Sequence, residues 1–215
     1  MNALISNPDF KIYQNNNTFT IELTASNEPL LKSIARTKQL IGATVMEDYK
    51  SICFRASTVQ TYAQHFKNLD YSSTLKMISS LSLQLEHLIK IHQKCFYLFS
   101  PDNLIVVNGD KFVYISNDHL VDIVNDNIVF TRPFTKTGGF TSPEIMRVDT
   151  IPTEIDLKTV YYGVASLAAY CLLNVQMHSG DDDLKKLDSI QFSKLYWFLT
   201  RCFNADQTKR CLLYV

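Results

Sequence analysis

Apolar and polar positions change their spacing along this chain, and the changes mark out its elements. Phe10-Lys11-Ile12-Tyr13 and Phe19-Thr20-Ile21-Glu22-Leu23 alternate and are rich in β-formers. The Asn15-Asn16-Asn17 triplet between them supplies left-handed turn residues, so the segment reads as a hairpin. Asn27-Glu28-Pro29 reads as a helix start, with Asn27 as the cap and Pro29 in the first turn, and the helix runs to about Lys38. A second strand pair follows, Leu40 to Met46 and Ser51 to Arg55, joined by a turn over Glu47-Asp48-Tyr49-Lys50. Residues 1–56 thus form a small unit of about four strands and one helix.

From Thr58 the spacing becomes helical. Thr58 to Phe66 predicts a short helix, and Tyr71 to Gln93 a long one. In the long helix Leu75, Ile78, Leu81, Leu85, Leu88 and Ile89 fall on one stripe. Short strands are expected at Cys95 to Phe99, Leu104 to Val107, Phe112 to Ile115 and Asn127 to Phe130, with Asn108-Gly109-Asp110 as a hairpin turn. Residues 131–157 read as irregular. Val160 to Leu173 is apolar nearly all round, so it must be wrapped by its neighbours. At 14 residues it is too short to span a bilayer. A short helix over Asp183 to Asp188 is expected next. An amphipathic helix over Ser189 to Phe203 follows, its apolar face including Phe192, Leu195, Leu199 and Cys202. A last helical turn or two spans Gln207 to Tyr214.

Composition narrows the function classes. The chain has 215 residues, 21 acidic and 21 basic, and no net charge, so attraction to nucleic acid or anionic lipid is not a global property. Asp181-Asp182-Asp183 reads as a solvated loop rather than a metal site. The five cysteines, Cys53, Cys95, Cys171, Cys202 and Cys211, form no close pair, which suits reduced thiols in the cytoplasm. The first residues lack a basic stretch and a long apolar run, so no signal peptide is expected. His87 and His92 lie five apart, about 140° round a helix, and are not read as a two-ligand face.

Three motifs carry a resemblance. Pro101-Asp102-Asn103-Leu104-Ile105-Val106 resembles the end of the catalytic loop of eukaryotic protein kinases. Phe140-Thr141-Ser142-Pro143-Glu144 resembles the Ala-Pro-Glu that closes their activation segment. Asn204-Ala205-Asp206-Gln207-Thr208-Lys209-Arg210 resembles the Asn-Pro-Asp-Pro-x-x-Arg near the end of the kinase core. The resemblance implies an α+β, two-lobed protein kinase-like fold, with residues 1–56 as a reduced β-rich N-lobe and 57–215 as a mainly helical C-lobe. It also implies a Glu144–Arg210 ion pair and a central helix around Gly163. Ser142-Pro143-Glu144-Ile145, Ile151-Pro152 and Tyr161-Tyr162-Gly163-Val164 are also similar to divergent kinase-like proteins of large DNA viruses.

The groups that move phosphate in that family are missing. The first hairpin turn has no glycine, and Ile21-Glu22-Leu23-Thr24-Ala25 offers no phosphate lysine. Lys32 falls on the predicted helix, and Glu28 there has no lysine to pair with. The His-Arg-Asp triplet falls on Phe96-Tyr97-Leu98, and the loop lysine on Ser100. The metal aspartate position is Ser116, with Asp118 two residues late, and the Asp that opens the central helix falls on Lys158, with Asp156 nearby. Asn103 alone survives among metal-ligand positions, and one amide oxygen cannot hold Mg²⁺ against a nucleotide.

The expectation is therefore a pseudokinase without cofactor or metal. It would act as a scaffold for a protein partner the sequence does not identify, with no nucleic acid or membrane partner, in the cytoplasm of a host cell or in a virion. The alternative is a divergent kinase binding ATP and Mg²⁺ through Asn103, Ser116 and Asp118, with Lys11, Lys32 or Lys50 on phosphate.

Overall fold

The computed structural model describes residues 3–37, 40–65, 68–178 and 181–211. Its strands and helices, in chain order, begin with β1 (Ile5–Ser6), β2 (Phe10–Asn15), β3 (Thr18–Leu23), α1 (Glu28–Arg36), β4 (Ile41–Val45) and β5 (Ser51–Arg55). They continue with β6 (Val59–Thr61), α2 (Tyr62–His65), α3 (Tyr71–His92), β7 (Lys94–Phe96), β8 (Leu104–Val107), β9 (Lys111–Tyr114), β10 (Leu120–Val124) and β11 (Asn127–Phe130). The last are α4 (Pro143–Met146), β12 (Thr153–Asp156), α5 (Thr159–Leu173) and α6 (Lys194–Cys202). The fold is mixed α+β. Its described strands form three antiparallel sheets, in the orders β1-β2-β3-β5-β4, β12-β11-β10-β7 and β6-β8-β9.

Local chemistry accounts for most element ends. The β2–β3 hairpin turns at Asn16 with φ 54°, a conformation Asn tolerates. Asn108 and Gly109 do the same between β8 and β9. Asn27 caps α1 by accepting from the Leu30 amide at 3.0 Å, and Asp70 caps α3 through Ser73 at 2.6 Å. Left-handed Gln93 and Asn174 end α3 and α5. The helix expected to reach Lys38 stops at Arg36, and Lys38 lies outside the described residues.

Four expectations are corrected. Thr58 to Phe66 is not one helix: Val59–Thr61 pairs with β8, whose edge would otherwise be open, and only then does α2 begin. Phe66 lies outside the described residues, as do residues 212–215 at the end of the expected last helical turns. Among the described residues those turns comprise a single 3-10 turn, Gln207–Lys209. Residues 131–157 hold α4, started by the Ser142 cap, and β12, which extends the sheet beyond β11. β12 buries only Ile155, so one inward residue gave no period to read. The helix expected from Ser189 begins at Lys194, because Ser193 accepts from the Tyr196 amide at 3.1 Å and caps it there. Phe192, expected on the apolar face, is left in the preceding turn and is 82% exposed.

The core gathers around α5 and α3. Eleven of the fifteen residues of α5 are buried, in keeping with its lack of a polar face. Phe99 packs against Gly163 so closely that a Cβ there would stand 2.9 Å from the Phe99 ring. α3 packs on α1, α5, β7 and β9. Its apolar stripe is interrupted by Gln84, which is buried and reaches the end of β9. Gln84 Nε2 donates to the Tyr114 carbonyl at 2.8 Å, and the Tyr114 amide donates to Gln84 Oε1 at 3.0 Å. A side-chain amide here replaces a missing strand. Gln84→Leu leaves both backbone groups of Tyr114 buried and unpaired, and should lower stability by about 2–4 kcal/mol. Urea denaturation of the two proteins reads this loss; an unchanged midpoint would contradict it.

Candidate functional site

The region matched by the kinase resemblance lies where the first sheet meets β8, β9 and the loop before them. Phe96, Tyr97, Leu98 and Phe99 run through this loop fully buried. Phe96 and Phe99 close on the Tyr114 ring at 4.8 and 4.9 Å between centroids. Tyr97 turns the other way, onto Phe130 and Phe134 at 5.2 and 5.5 Å. Leu98 presents only its carbonyl, which accepts from the Tyr114 hydroxyl at 3.1 Å. The Ser100 amide donates to that same hydroxyl at 2.9 Å, and His119 Nδ1 lies 3.1 Å from it. One buried phenol therefore pins the loop at both ends. Burial pushes the Tyr114 pKa well up, so the phenol stays neutral, and burial holds His119 down, with Asp9 and Asp118 opposing.

Asn103 is anchored in the same way, through its backbone carbonyl and its side-chain NH2 group. Its backbone carbonyl accepts from the Ile115 amide at 3.0 Å, and its Nδ2 donates to the Ile115 carbonyl at 2.6 Å. Nδ2 also donates to Asp9 Oδ2 at 2.5 Å. Asp9 comes from the start of the first sheet and is itself nearly buried. Neighbouring bonds run across the same junction. Asn7 Nδ2 donates to the Asp102 carbonyl at 3.0 Å, Asn27 Nδ2 to Asn117 Oδ1 at 3.0 Å, and Asn117 Nδ2 to the Ala25 carbonyl at 3.3 Å.

Ser116 is fully buried, and its Oγ accepts from the His119 amide at 3.3 Å. Asp118 is exposed, and no described hydrogen bond or ion pair joins it to Asn103. Lys11 points outward from β2, and the Lys50 amide donates to Asp48 Oδ1. Lys32 is bound to Glu28 one turn earlier at 2.5 Å, with Tyr49 5.4 Å from its ammonium. Glu28 thus has a lysine after all, supplied by its own helix at the i,i+4 spacing. None of the three lysines is joined to Asn103 by a described contact.

The second cluster the structure brings together is Glu144 with Arg210. Arg210 Nη1 and Nη2 donate to the two carboxylate oxygens at 2.9 and 2.8 Å, and Nε donates to the Asn204 carbonyl at 2.9 Å. The Tyr162 ring lies 5.4 Å from the guanidinium. Thr159 Oγ1 donates to Glu144 Oε2 at 3.0 Å and meets Ser142 Oγ at 2.5 Å, so the start of α4 is tied to the start of α5. Lys158, at the N-cap of α5, reaches the Thr208 carbonyl, and its amide is held by Asp156 Oδ1. No family model matches this chain, and no curated protein matches it.

Other candidate chemistry has no described counterpart. Among the described residues no group of three His, Cys, Asp or Glu could hold a metal ion. The His87 and His92 rings do meet edge to face, 5.4 Å apart, because His92 closes the end of α3. All five cysteines are free; burial pushes Cys171 up to about 12 and Cys95 and Cys202 higher still, which disfavours the thiolate at these three positions. No described helix is long and apolar enough to cross a membrane. Asp9 bridges the junction and Tyr114 holds the loop, yet sequence reading missed both; Asp9 gives no signal beyond following the Asn7-Pro8 turn. Gln84 had one, as a polar residue within an apolar stripe.

Burial alone would push the Glu144 pKa up, but the hydrogen bonds from Arg210 and Thr159 and the guanidinium charge hold it below the ordinary value of 4.5. A lowered folded-state pKa stabilises the fold above the unfolded value, and that contribution is lost as pH falls through the folded one. Wild type should therefore lose stability below about pH 4.5 more steeply than Glu144→Gln. Arg210→Met leaves a half-buried carboxylate unpaired and should cost about 3–5 kcal/mol at neutral pH. Denaturant titrations across pH check both; parallel pH profiles for wild type and Glu144→Gln would contradict the first.

Proposed function

We propose that this chain is a catalytically inactive, protein kinase-like protein that works as a protein-binding scaffold. One observation carries the reading. The loop that resembles a kinase catalytic loop places buried Leu98 at the position of the catalytic aspartate, and the one surviving metal-ligand position, Asn103, gives its amide to Asp9 and Ile115. Phosphoryl transfer is positioning plus charge stabilisation, so a loop with no carboxylate at the catalytic position and no lysine is poorly equipped to perform it.

The rest of the resemblance supports a retained frame. The five-stranded sheet with α1 corresponds to a reduced N-lobe over residues 1–56. The remainder corresponds to a C-lobe, although β6 to β12 give it more strand than the resemblance implied. The Glu144–Arg210 pair and the buried α5 are the parts of a kinase core that hold it together rather than act on substrate. On the same resemblance, which extends to kinase-like proteins of large DNA viruses, its place of work is the host cytoplasm or the virion.

Thermal unfolding with and without millimolar ATP plus Mg²⁺ or Mn²⁺ tests the reading. A ligand at a hundred times its Kd adds about 2.7 kcal/mol, roughly 5–10 °C for a chain of this length. No shift is expected. A metal-dependent rise that disappears in Asn103→Ala would overturn the proposal in favour of a divergent nucleotide-binding kinase.

A further inference from the structure

Two large aromatic side chains stand in solvent at the start of α6. Phe192 is 82% exposed and Trp197 is 56% exposed. Ser193 is the helix cap, so Phe192 and Trp197 occupy the positions just before the cap and in the first turn that a hydrophobic staple would join. At these exposures they are not buried against each other. Tyr196 meets the Trp197 ring edge to face at 5.3 Å and limits its orientation.

Phe192 also adopts φ 66°, in the left-handed region. The Ser193 amide donates to the Ile190 carbonyl at 3.1 Å, so Phe192 is the third residue of a tight turn, where Gly or Asn is the low-cost choice. A bulky side chain here strains the backbone and gains almost no burial in return.

The charge around these rings is one-sided. Lys194 and Arg201 flank Trp197, three residues before and four after, and both are exposed. Neither forms an ion pair with a described residue. Residues 189–205 contain no acid; the nearest carboxylates along the chain are Asp188 and Asp206, and Asp206 already accepts from Thr208 and faces Lys209. Aromatic anchors rimmed by unpaired cations suit a ligand that is apolar at its centre and anionic at its edges.

We infer that the exposed face of α6, with Phe192 beside it, docks an acidic segment of a protein partner carrying one bulky apolar side chain between two carboxylates. Seven residues of helix separate Lys194 from Arg201, about 10 Å, which an extended peptide spans in about three residues. The inference deepens the scaffold reading by naming the surface and the chemistry of its partner. It rests on that reading's protein-binding role and not on the kinase resemblance.

Trp197 is the only tryptophan in the chain, so its emission reports on this surface alone. The full chain is titrated with a peptide holding two glutamates three positions apart with a phenylalanine between them, and with the same peptide bearing lysines instead. The acidic peptide should shift the emission saturably and the lysine peptide should not. Lys194→Glu with Arg201→Glu should weaken binding about tenfold or more. Phe192→Gly should weaken binding while raising the unfolding temperature, because it relieves the strained turn. No response to the acidic peptide, an equal response to the lysine peptide, or a lower unfolding temperature for Phe192→Gly would each overturn the inference. So would a shift seen only with phosphatidylserine vesicles, which would mark a membrane surface, or one that follows protein concentration alone, which would mark self-association. Failure here with no nucleotide effect on unfolding removes this surface and leaves the inactive-scaffold reading standing; a nucleotide effect with peptide binding does the reverse.

Discussion

A guanidinium with 1% of its side chain exposed survives folding only if acceptors replace the water it loses. Arg210 finds them in Glu144 and the Asn204 carbonyl, with Tyr162 beneath. Each acceptor lies on a different part of the chain, so satisfying one charge fixes the positions of α4, α5 and the segment after α6. Thr159 and Ser142 extend the same network to the start of α5. The buried helix then needs no polar face of its own. It is held at its N-terminal end by this network and along its length by packing, most tightly where Phe99 lies on Gly163.

The loop that carries Phe99 follows the same logic, with a single carboxylate, Asp9, among uncharged groups. Tyr114 bonds to Leu98 and Ser100, Gln84 bonds to the backbone of Tyr114, and Asn103 bonds to Ile115 and Asp9. Of these bonds, the one from Asn103 to Asp9 crosses from the loop to the first sheet, and the others hold the loop against α3 and β9. Their hydrogen-bonding capacity goes into fixing the loop. A buried polar network that is satisfied internally has little to offer a nucleotide or a metal ion, and reopening it would leave several groups without partners at once.

Much of this frame could be read from residue order. The β2–β3 hairpin, the Asn27 cap, the long α3 and the all-apolar α5 follow from periodicity and turn residues that act locally. Glu144 and Arg210 could be paired only through the resemblance, since nothing local links two residues so far apart in the chain. What escaped reading was decided by neighbours. β6 is a strand because β8 has an edge to cover, and β10 and β12 exist because β11 recruits them. Asp9 is a bridge only because folding brings it to Asn103. Phe192 broke the helical pattern because a capping serine outranked an apolar position, and the residue that the pattern misplaced is the most exposed aromatic among the described residues.

If Asn103 belongs to the fold and not to a ligand, it is energetically coupled to Asp9. A double-mutant cycle measures it directly: the unfolding free energies of wild type, Asp9→Ala, Asn103→Ala and the double variant. A hydrogen bond to a charged partner across the junction predicts a coupling of about 1.5–3 kcal/mol between the two positions. A coupling near zero would mean that Asp9 does not hold Asn103, and that the amide is free to serve a metal or a nucleotide.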